Sequence, residues 1–166
     1  MINEKDIRTI HIASDHAGFE MKEDLRFFLE KKDYEVIDHG AFELDENDDY
    51  PDFILPAAIA VSQDEHSLGI ILGGSGQGEA MVANRIPGIR ATVFYGSAGS
   101  EEDIITLSKQ HNDANILSLG ARFLTHEEAE EAVDLWLETS FSNEQRHVRR
   151  IHKIDNLDNL MIGGDE

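Results

Sequence analysis

The sequence predicts an α/β fold in which five parallel strands form one sheet with helices packed on both faces. Apolar, strand-like segments alternate with segments of helical spacing along the chain, and this alternation is typical of parallel sheets covered by helices. The strand-like segments are almost continuously apolar, as expected of strands buried on both faces. At 166 residues the chain is long enough for one full core. We therefore expect a single domain over residues 1–166 with a three-layer α/β/α, doubly wound (Rossmann-like) architecture, strand order 2-1-3-4-5 and a C-terminal helix.

The individual elements follow from local pattern. Five short segments rich in Ile, Val and Leu predict strands at residues 9–14, 34–38, 68–72, 89–94 and 115–119. Apolar residues three and four positions apart predict helices at residues 17–32, 53–62, 79–86, 101–111, 126–138 and 143–159. The third helix is short, because Pro87 stops it. Residues 43–52 form a polar, acidic loop and residues 162–166 a loose tail.

Charge and cysteine content exclude several classes of function. The chain has 34 Asp and Glu residues against 14 Lys and Arg, a formal net charge of -20, so it repels nucleic acids and anionic membrane surfaces. It has no cysteine, which removes disulfides, thiolate metal sites and cysteine nucleophiles. No run approaches the roughly 20 apolar residues of a membrane helix, and residues 1–8 lack the pattern of a signal peptide. A cytoplasmic protein is expected.

The ends of the first and third predicted strands are the expected ligand site. In a doubly wound sheet, ligands bind beyond the carboxyl ends of the strands where the strand order reverses, which here is between these two strands. The first strand is followed by Ser14-Asp15-His16-Ala17-Gly18. The third is followed by Gly73-Gly74-Ser75-Gly76-Gln77-Gly78-Glu79. We therefore expect the functional residues to come from these two segments first.

Residues 73–78 contain four glycines between a strand and a short helix, a composition that lets backbone N–H groups converge on an anion. A tight turn without a ligand would have the same composition. A dinucleotide fingerprint does not fit, because Glu79 stands where its third glycine would fall. Nor is there a Lys-Ser or Lys-Thr pair, as a P-loop requires. The loop is a candidate anion-binding site.

Glu79 begins the short helix and has two possible roles. A carboxylate at that position interacts favourably with the helix dipole and stabilises the helix by about 0.3–1 kcal/mol. Beside backbone donors that stabilise an oxyanion, it could instead be the general base that removes a proton next to a carbonyl group. Asp15 is a candidate N-cap and also a candidate group that projects into the crevice with His16, and the two roles can hold together. His111 and Asn112 end the fourth predicted helix, where a histidine can also be a simple dipole contact.

No group of histidines and carboxylates has metal-ligand spacing, and the acidic run at residues 45–49 lacks the pattern of a calcium loop. We therefore predict no metal and no cofactor. Basic residues are scarce, yet four of them, Arg146, Arg149, Arg150 and Lys153, share one face of the last helix. That face is either a solvated stripe or a site for a small anion, since arginine suits forked contact with phosphate. Arg122, just past the fifth strand, lies on the ligand side of the sheet.

Several motifs together resemble one known family. They stand in the same order and at the ends of predicted elements: residues 14–18 with Lys22, residues 73–79, Ala83-Asn84-Arg85, Gly88-Ile89-Arg90-Ala91, His111-Asn112-Asp113-Ala114-Asn115, Leu119-Gly120-Ala121-Arg122 and Arg146-His147-Val148-Arg149-Arg150-Ile151. This set looks like the ribose-5-phosphate isomerase B family, which also contains galactose-6-phosphate isomerase subunits. The resemblance covers about residues 10–155, nearly the whole chain.

The resemblance implies metal-independent interconversion of an aldose phosphate and a ketose phosphate through an enediolate. It implies that His111 opens the sugar ring, with Asp15 as an assistant, and that Ser75 and the loop amides hold the oxyanion. The residues it implies in contact with the sugar are Asp15, His16, Asn112, Gly74, Ser75, Gly76, Gln77 and Gly78. Arg122, Arg146 and Arg150 would hold the phosphate. It also implies a homodimer with sites shared between subunits, or a tetramer of such dimers.

The chain departs from many family members at position 73. Those members carry a cysteine base there, and this sequence has Gly73. A second group of the family has Gly-Gly-Ser-Gly-X-Gly-Glu at this loop and uses the glutamate, and this sequence resembles that group. Glu79 is therefore the expected base, and a carboxylate is already ionised at neutral pH whereas a thiol needs activation.

Three other functions remain open from the sequence. The substrate could be a six-carbon sugar phosphate such as allose or galactose 6-phosphate. The protein could be a phosphosugar-binding regulator that has lost turnover. A nucleotide-binding domain is the most distant alternative. The stretch 96–103 resembles an insertion and would shape the sugar pocket.

Overall fold

A computed structural model describes residues 7–96 and 103–157. Within them the predicted α/β/α architecture is confirmed. Five parallel strands form one sheet: β1 (Thr9–Ser14), β2 (Glu35–Asp38), β3 (Ser67–Gly73), β4 (Ala91–Phe94) and β5 (Ile116–Gly120). The helices are α1 (Phe19–Glu30), α2 (Pro51–Gln63), α3 (Gln77–Ala83), α4 (Ile104–Asn112), α5 (His126–Glu138) and α6 (Gln145–Asp155), and a 3₁₀ turn, His16–Gly18, precedes α1.

Most boundaries lie within one or two residues of those predicted. The strand at 9–14 and the helix at 126–138 agree at both ends. The third helix begins two residues earlier than expected and ends at Ala83, well before Pro87. The start of the helix predicted at 101–111, most of the stretch 96–103, the end of the helix predicted to reach residue 159 and the tail 162–166 lie outside the described residues.

The predicted strand order is wrong at one edge of the sheet. The observed order is β2-β1-β3-β5-β4, so β5 lies between β3 and β4. Every residue of β5 is buried, whereas every residue of the four-residue β4 is partly exposed. The strand that is buried throughout therefore takes the inner position, and the shorter one forms the edge. The site-bearing reversal between β1 and β3 is unaffected, since the chain still leaves these strands toward opposite edges.

Two apolar layers cover the sheet. On one face α1, α4 and α5 pack through a core that includes Leu25, Ile105 and the fully buried Trp136. On the other face α2 and α3 pack through residues such as Ile54 and Ala83. Helix α6 packs against α4. Within residues 7–96 and 103–157, none of the helices has the length and apolar character needed to cross a bilayer.

Candidate active site

The glycine-rich loop leaves the end of β3 and is fastened to the end of β5. Gly73 pairs with Gly120 at the last position of the two strands. The backbone N–H groups of Ala121 and Arg122 donate to the carbonyls of Gly73 (2.8 Å) and Gly74 (3.1 Å). The loop therefore begins from a fixed position at the carboxyl edge of the sheet.

Carbonyl groups of the glycine-rich loop accept hydrogen bonds from neighbouring residues, whereas several N–H groups of the loop make no hydrogen bond to any described residue. The buried Ser118 hydroxyl donates to the carbonyl of Gly76 at 2.6 Å, and Gly76 has a left-handed backbone with φ 75°. Glycine adopts that conformation without the strain that most side chains would cause. The N–H groups of Gly74, Ser75 and Gly76 make no hydrogen bond within the part of the chain that the structure describes. The loop thus offers backbone donors to an anionic oxygen.

The Glu79 carboxylate lies in the space that a side chain at position 73 would fill. A Cβ atom built on Gly73 would stand 1.8 Å from Oε1 and 2.1 Å from Cδ of Glu79. Glu79 is only 4% exposed. Burial raises the pKa of Glu79, a hydrogen bond from its own backbone N–H lowers it, and the charge of Asp15 raises it. A carboxylate with a raised pKa is a stronger base than one at the surface.

Asp15 and His16 lie at the end of β1, as predicted. Asp15 is buried and accepts a hydrogen bond from the Ala17 N–H at 2.9 Å, which confirms its N-cap position. The His16 ring donates from Nδ1 to Asp48 Oδ1 at 2.6 Å, and its Nδ1 is 4.0 Å from Asp15 Oδ2. The hydrogen bond to Asp48 raises the pKa of His16, burial opposes it, and Asp15 raises it further. Asp48 thus joins a site in which sequence analysis did not place it.

Asp15, His16 and Asp48 each have one potential ligand atom within 4.8 Å of the others. Two ligands of one cation at bond lengths of about 2.1 Å stand about 3 Å or more apart. The 2.6 Å between His16 and Asp48 is instead the length of a charge-assisted hydrogen bond. We describe the group as a hydrogen-bonded network, and metal independence stays a prediction.

Two further side chains border the glycine loop. Arg122 covers Gly74 so closely that a Cβ there would be 3.2 Å from Nη1. The Tyr50 hydroxyl would be 2.8 Å from a Cβ at Gly78. Glycine at these positions therefore allows a guanidinium and a phenol to lie against the loop backbone.

The other predicted residues form a second group around the end of α4. The rings of His111 and His147 lie 4.3 Å apart, and His147 Nδ1 is 2.8 Å from Ser142 Oγ. Burial lowers the pKa of His147, and the neighbouring His111 lowers it further. Arg146 and Arg150, one turn apart on α6, are exposed.

Arg90 braces this second group. Its Nε donates to the carbonyl of Asn112 at 2.9 Å and to that of Asp113 at 3.0 Å. Nη1 reaches Asp155 at the end of α6, at 3.4 Å. One guanidinium thus joins the end of α4, which bears His111, to the helix that bears the two arginines.

The two groups lie at opposite ends of the strands, the glycine loop at the carboxyl ends and the end of α4 at the amino end of β5. The glycine loop follows Gly73, level with Gly120 at the end of β5, whereas α4 ends at Asn112, shortly before β5 begins at Ile116. At about 3.3 Å per residue, the length of β5 alone separates them by about 13 Å. One chain therefore brings together Glu79 and its loop with Asp15, His16 and Arg122, and places His111, Asn112, Arg146 and Arg150 elsewhere.

Sequence reasoning missed Asp48, Tyr50 and Ser118. Asp48 is one of four carboxylates in the run at 45–49, and nothing local distinguishes it from its neighbours. Ser118 reads only as a polar residue in an apolar strand. Ser118 could have been noticed on that ground, since a polar side chain in a buried strand needs a partner.

A buried carboxylate, a glycine loop with available donors and an arginine at the strand reversal define a doubly wound α/β protein with a site for a small anionic ligand. The family model described as Ribose/Galactose Isomerase matches residues 10–154. The chain belongs to this family.

Proteins of known structure or name are similar to this chain over most of their length. Ribose-5-phosphate isomerase B of Mycolicibacterium paratuberculosis is 41% identical over 142 residues, 86% of each chain. A solved structure of the Clostridium thermocellum ribose-5-phosphate isomerase B has a TM-score of 0.84 at 41% identity and covers 92% of this chain and 99% of its own. The Mycoplasma genitalium enzyme, solved with bound ribulose-5-phosphate, has a TM-score of 0.84 at 38% identity and covers 91% and 96%.

Proposed function

We propose that this protein is an aldose–ketose isomerase that interconverts ribose 5-phosphate and ribulose 5-phosphate. The observation that carries the proposal is the buried Glu79 carboxylate, which lies in the side-chain space of residue 73 beside the donors of the glycine loop. Family membership and relatives of that name support the substrate class. A phosphorylated sugar is too polar to cross a bilayer, so we expect the enzyme in the cytoplasm with its substrate.

Glu79 is the proposed catalytic base. Its carboxylate removes the proton from C2 of the open-chain aldose, the electron pair forms the C1–C2 double bond, and the negative charge moves to O1. The loop N–H groups and the Ser75 hydroxyl donate to that oxygen. Glu79 then returns the proton to C1, and the proton that O2 gives up as it becomes the ketone oxygen passes to O1, which becomes a hydroxyl. No redox partner is needed, because one carbon is oxidised as its neighbour is reduced.

The remaining residues open the ring and hold the substrate. We assign His111 as the acid that protonates the ring oxygen, and Asp15, His16 and Asn112 as contacts of the sugar, together with Gly74, Gly76, Gln77 and Gly78. Arg122, Arg146 and Arg150 are assigned to the phosphate, for which forked guanidinium contacts are suited.

A complete site on this assignment needs two copies of the chain. Glu79 and His111 lie at opposite ends of the strands in one copy, so His111, Arg146 and Arg150 must come from a second copy. A two-fold dimer would build two such sites, each with Glu79 of one subunit and His111 of the other. The exposed arginines on α6 support this arrangement, since they are available to a ligand held by another subunit.

The first test is an isomerase assay on ribose 5-phosphate with a chelator present. We expect turnover that the chelator does not reduce. Glu79→Gln keeps the size of the side chain and removes the base, so it should lower kcat by about 10³-fold with little change in KM. Full activity of that variant would refute the assignment.

The second test mixes two inactive variants. Subunits with Glu79→Gln and subunits with His111→Gln, unfolded together and refolded, should recover about a quarter of wild-type activity, because half of the dimers are mixed and each has one intact site. Each variant refolded alone is the control. No recovery in the mixture would show that both residues act within one chain.

A six-carbon substrate is the second candidate, because the family model covers ribose and galactose isomerases. Comparing kcat/KM on ribose 5-phosphate with that on allose and galactose 6-phosphates decides between them. A higher value on a hexose phosphate would change the assignment. Tight binding of aldose phosphates without any turnover would instead indicate a regulator.

A further inference from the structure

Asp48 is the one carboxylate among residues 45–49 whose side chain is buried. It lies in the loop between β2 and α2, where Asp45, Glu46, Asn47 and Asp49 are all exposed. The Asp48 side chain is only 8% exposed. Burial of a carboxylate costs free energy unless it is paired, so this position has a specific partner.

The partner is His16, and the contact is double. Asp48 Oδ1 accepts a hydrogen bond from the His16 backbone N–H at 3.1 Å and another from the ring Nδ1 at 2.6 Å. An ionised carboxylate only accepts, so Nδ1 carries the proton in this contact. Asp48 therefore fixes both the orientation of the ring and which nitrogen is protonated.

The charges around His16 favour its cationic form. Asp48 faces it from the acidic loop, Asp15 from the preceding residue, and Arg122 from the segment after β5. The hydrogen bond to Asp48 is the largest influence and raises the pKa of His16, while burial and Arg122 lower it. The ring is 26% exposed although its Nδ1 is held, so another edge of it is open to the pocket or solvent.

We propose that Asp48 is a positioning residue that holds His16 as an oriented imidazolium for binding the sugar phosphate. This inference rests on the proposed function. It adds to the site a residue that acts through His16. The second carboxylate oxygen, Oδ2, is buried and has no partner among the described residues, so the scaffold does not otherwise use this charge.

The test separates the charge of Asp48 from its role as a loop anchor. Asp48→Asn keeps an oxygen that can accept both His16 hydrogen bonds and removes the negative charge. Glu46→Gln removes one charge from the same loop at an exposed position and is the matched control. Histidine NMR titrations of the free protein, with His16 assigned from His16→Gln, report its protonation directly.

We expect the pKa of His16 to fall in Asp48→Asn and to stay unchanged in Glu46→Gln. At neutral pH the KM for ribose 5-phosphate should rise roughly tenfold in Asp48→Asn, with kcat within about twofold of wild type, because one charge-assisted contact is weakened. Lower pH should restore the KM as His16 becomes protonated. A purely structural role would not give this pH-dependent recovery.

Two results would overturn the inference. One is a His16 titration that is unchanged by Asp48→Asn. The other is a KM that is raised equally at every pH, which would mean that Asp48 only anchors the loop. If the wild-type chain does not isomerise ribose 5-phosphate, the proposed function fails, and the titration of the free protein still decides whether Asp48 controls His16.

Discussion

Adding a single methyl group at Gly73 should separate catalysis from stability. In the structure a Cβ at this position would be 1.8 Å from Glu79 Oε1, and ordinary contact needs about 3.5 Å. In Gly73→Ala the carboxylate must therefore move by about 1.7 Å. A displacement of 1 Å costs about 10²-fold in rate when a reacting group is misplaced, so kcat should fall by at least that factor.

The stability cost should be small by comparison. The atoms that clash belong to the end of a flexible side chain, which can swing away, so we expect about 1 kcal/mol of lost unfolding free energy, the low end for overpacking. Urea denaturation measures this cost, and saturating ribose 5-phosphate assays measure kcat. A folded, nearly inactive Gly73→Ala variant is the expected outcome.

The control removes the other partner of the clash. In a Glu79→Ala background the carboxylate is absent, so Gly73→Ala should cost almost no further stability and no further activity. This non-additivity is the signature of two groups that compete for one space. Wild-type kcat in Gly73→Ala with Glu79 intact would refute the placement of the base.

Three other predictions follow from buried polar groups. Because burial raises the pKa of Glu79, kcat/KM should fall on the acid side through a pKa above that of an ordinary glutamate, and an acid limb at the ordinary value would contradict this. His11 and His39 share a 2.8 Å hydrogen bond, and burial lowers both pKa values, so the folded state binds fewer protons than the unfolded chain. Stability should be full above the unfolded value of about 6.5 and be lost as the pH falls below it; urea midpoints between pH 8 and 5 should show a drop that His39→Leu flattens. Ser118→Ala removes the hydroxyl that holds the Gly76 carbonyl, and should cost about 1 kcal/mol in denaturation and lower kcat more than it raises KM.

The sequence predicts most of the fold because hydrophobic pattern reports local structure. Strand β1 and helix α5 begin and end at the predicted residues. The order of β4 and β5 is not local, since it depends on which strand can be buried on both faces. The residues of β5 are all buried and those of β4 are partly exposed, but the two strands are similarly apolar in sequence, so local pattern does not distinguish the inner strand from the edge strand.

The site likewise has residues that could be placed from the sequence and contacts that could not. Asp15 and Glu79 could be placed together from sequence, because both follow strands that flank the predicted reversal. The contact between Asp48 and His16 joins residues 32 positions apart, through a loop with no periodic pattern. Such a contact is made by tertiary folding, and no local signal selects one carboxylate among the four of the acidic run.

The separation between the glycine-loop group with Glu79 and the group around the end of α4 also bears on how two strongly acidic subunits could associate. Two copies with a net charge of -20 repel each other, and each glycine-loop half-site adds the buried carboxylates Glu79 and Asp15. The opposite half carries Arg146 and Arg150 on the exposed face of α6. On the proposed arrangement, the cationic half of one copy faces the carboxylate-rich half of the other, and an anionic sugar phosphate lies between them. Arg146 and Arg150 then lie where they reduce repulsion between subunits and bind the ligand, so substrate and dimer contact would stabilise one another.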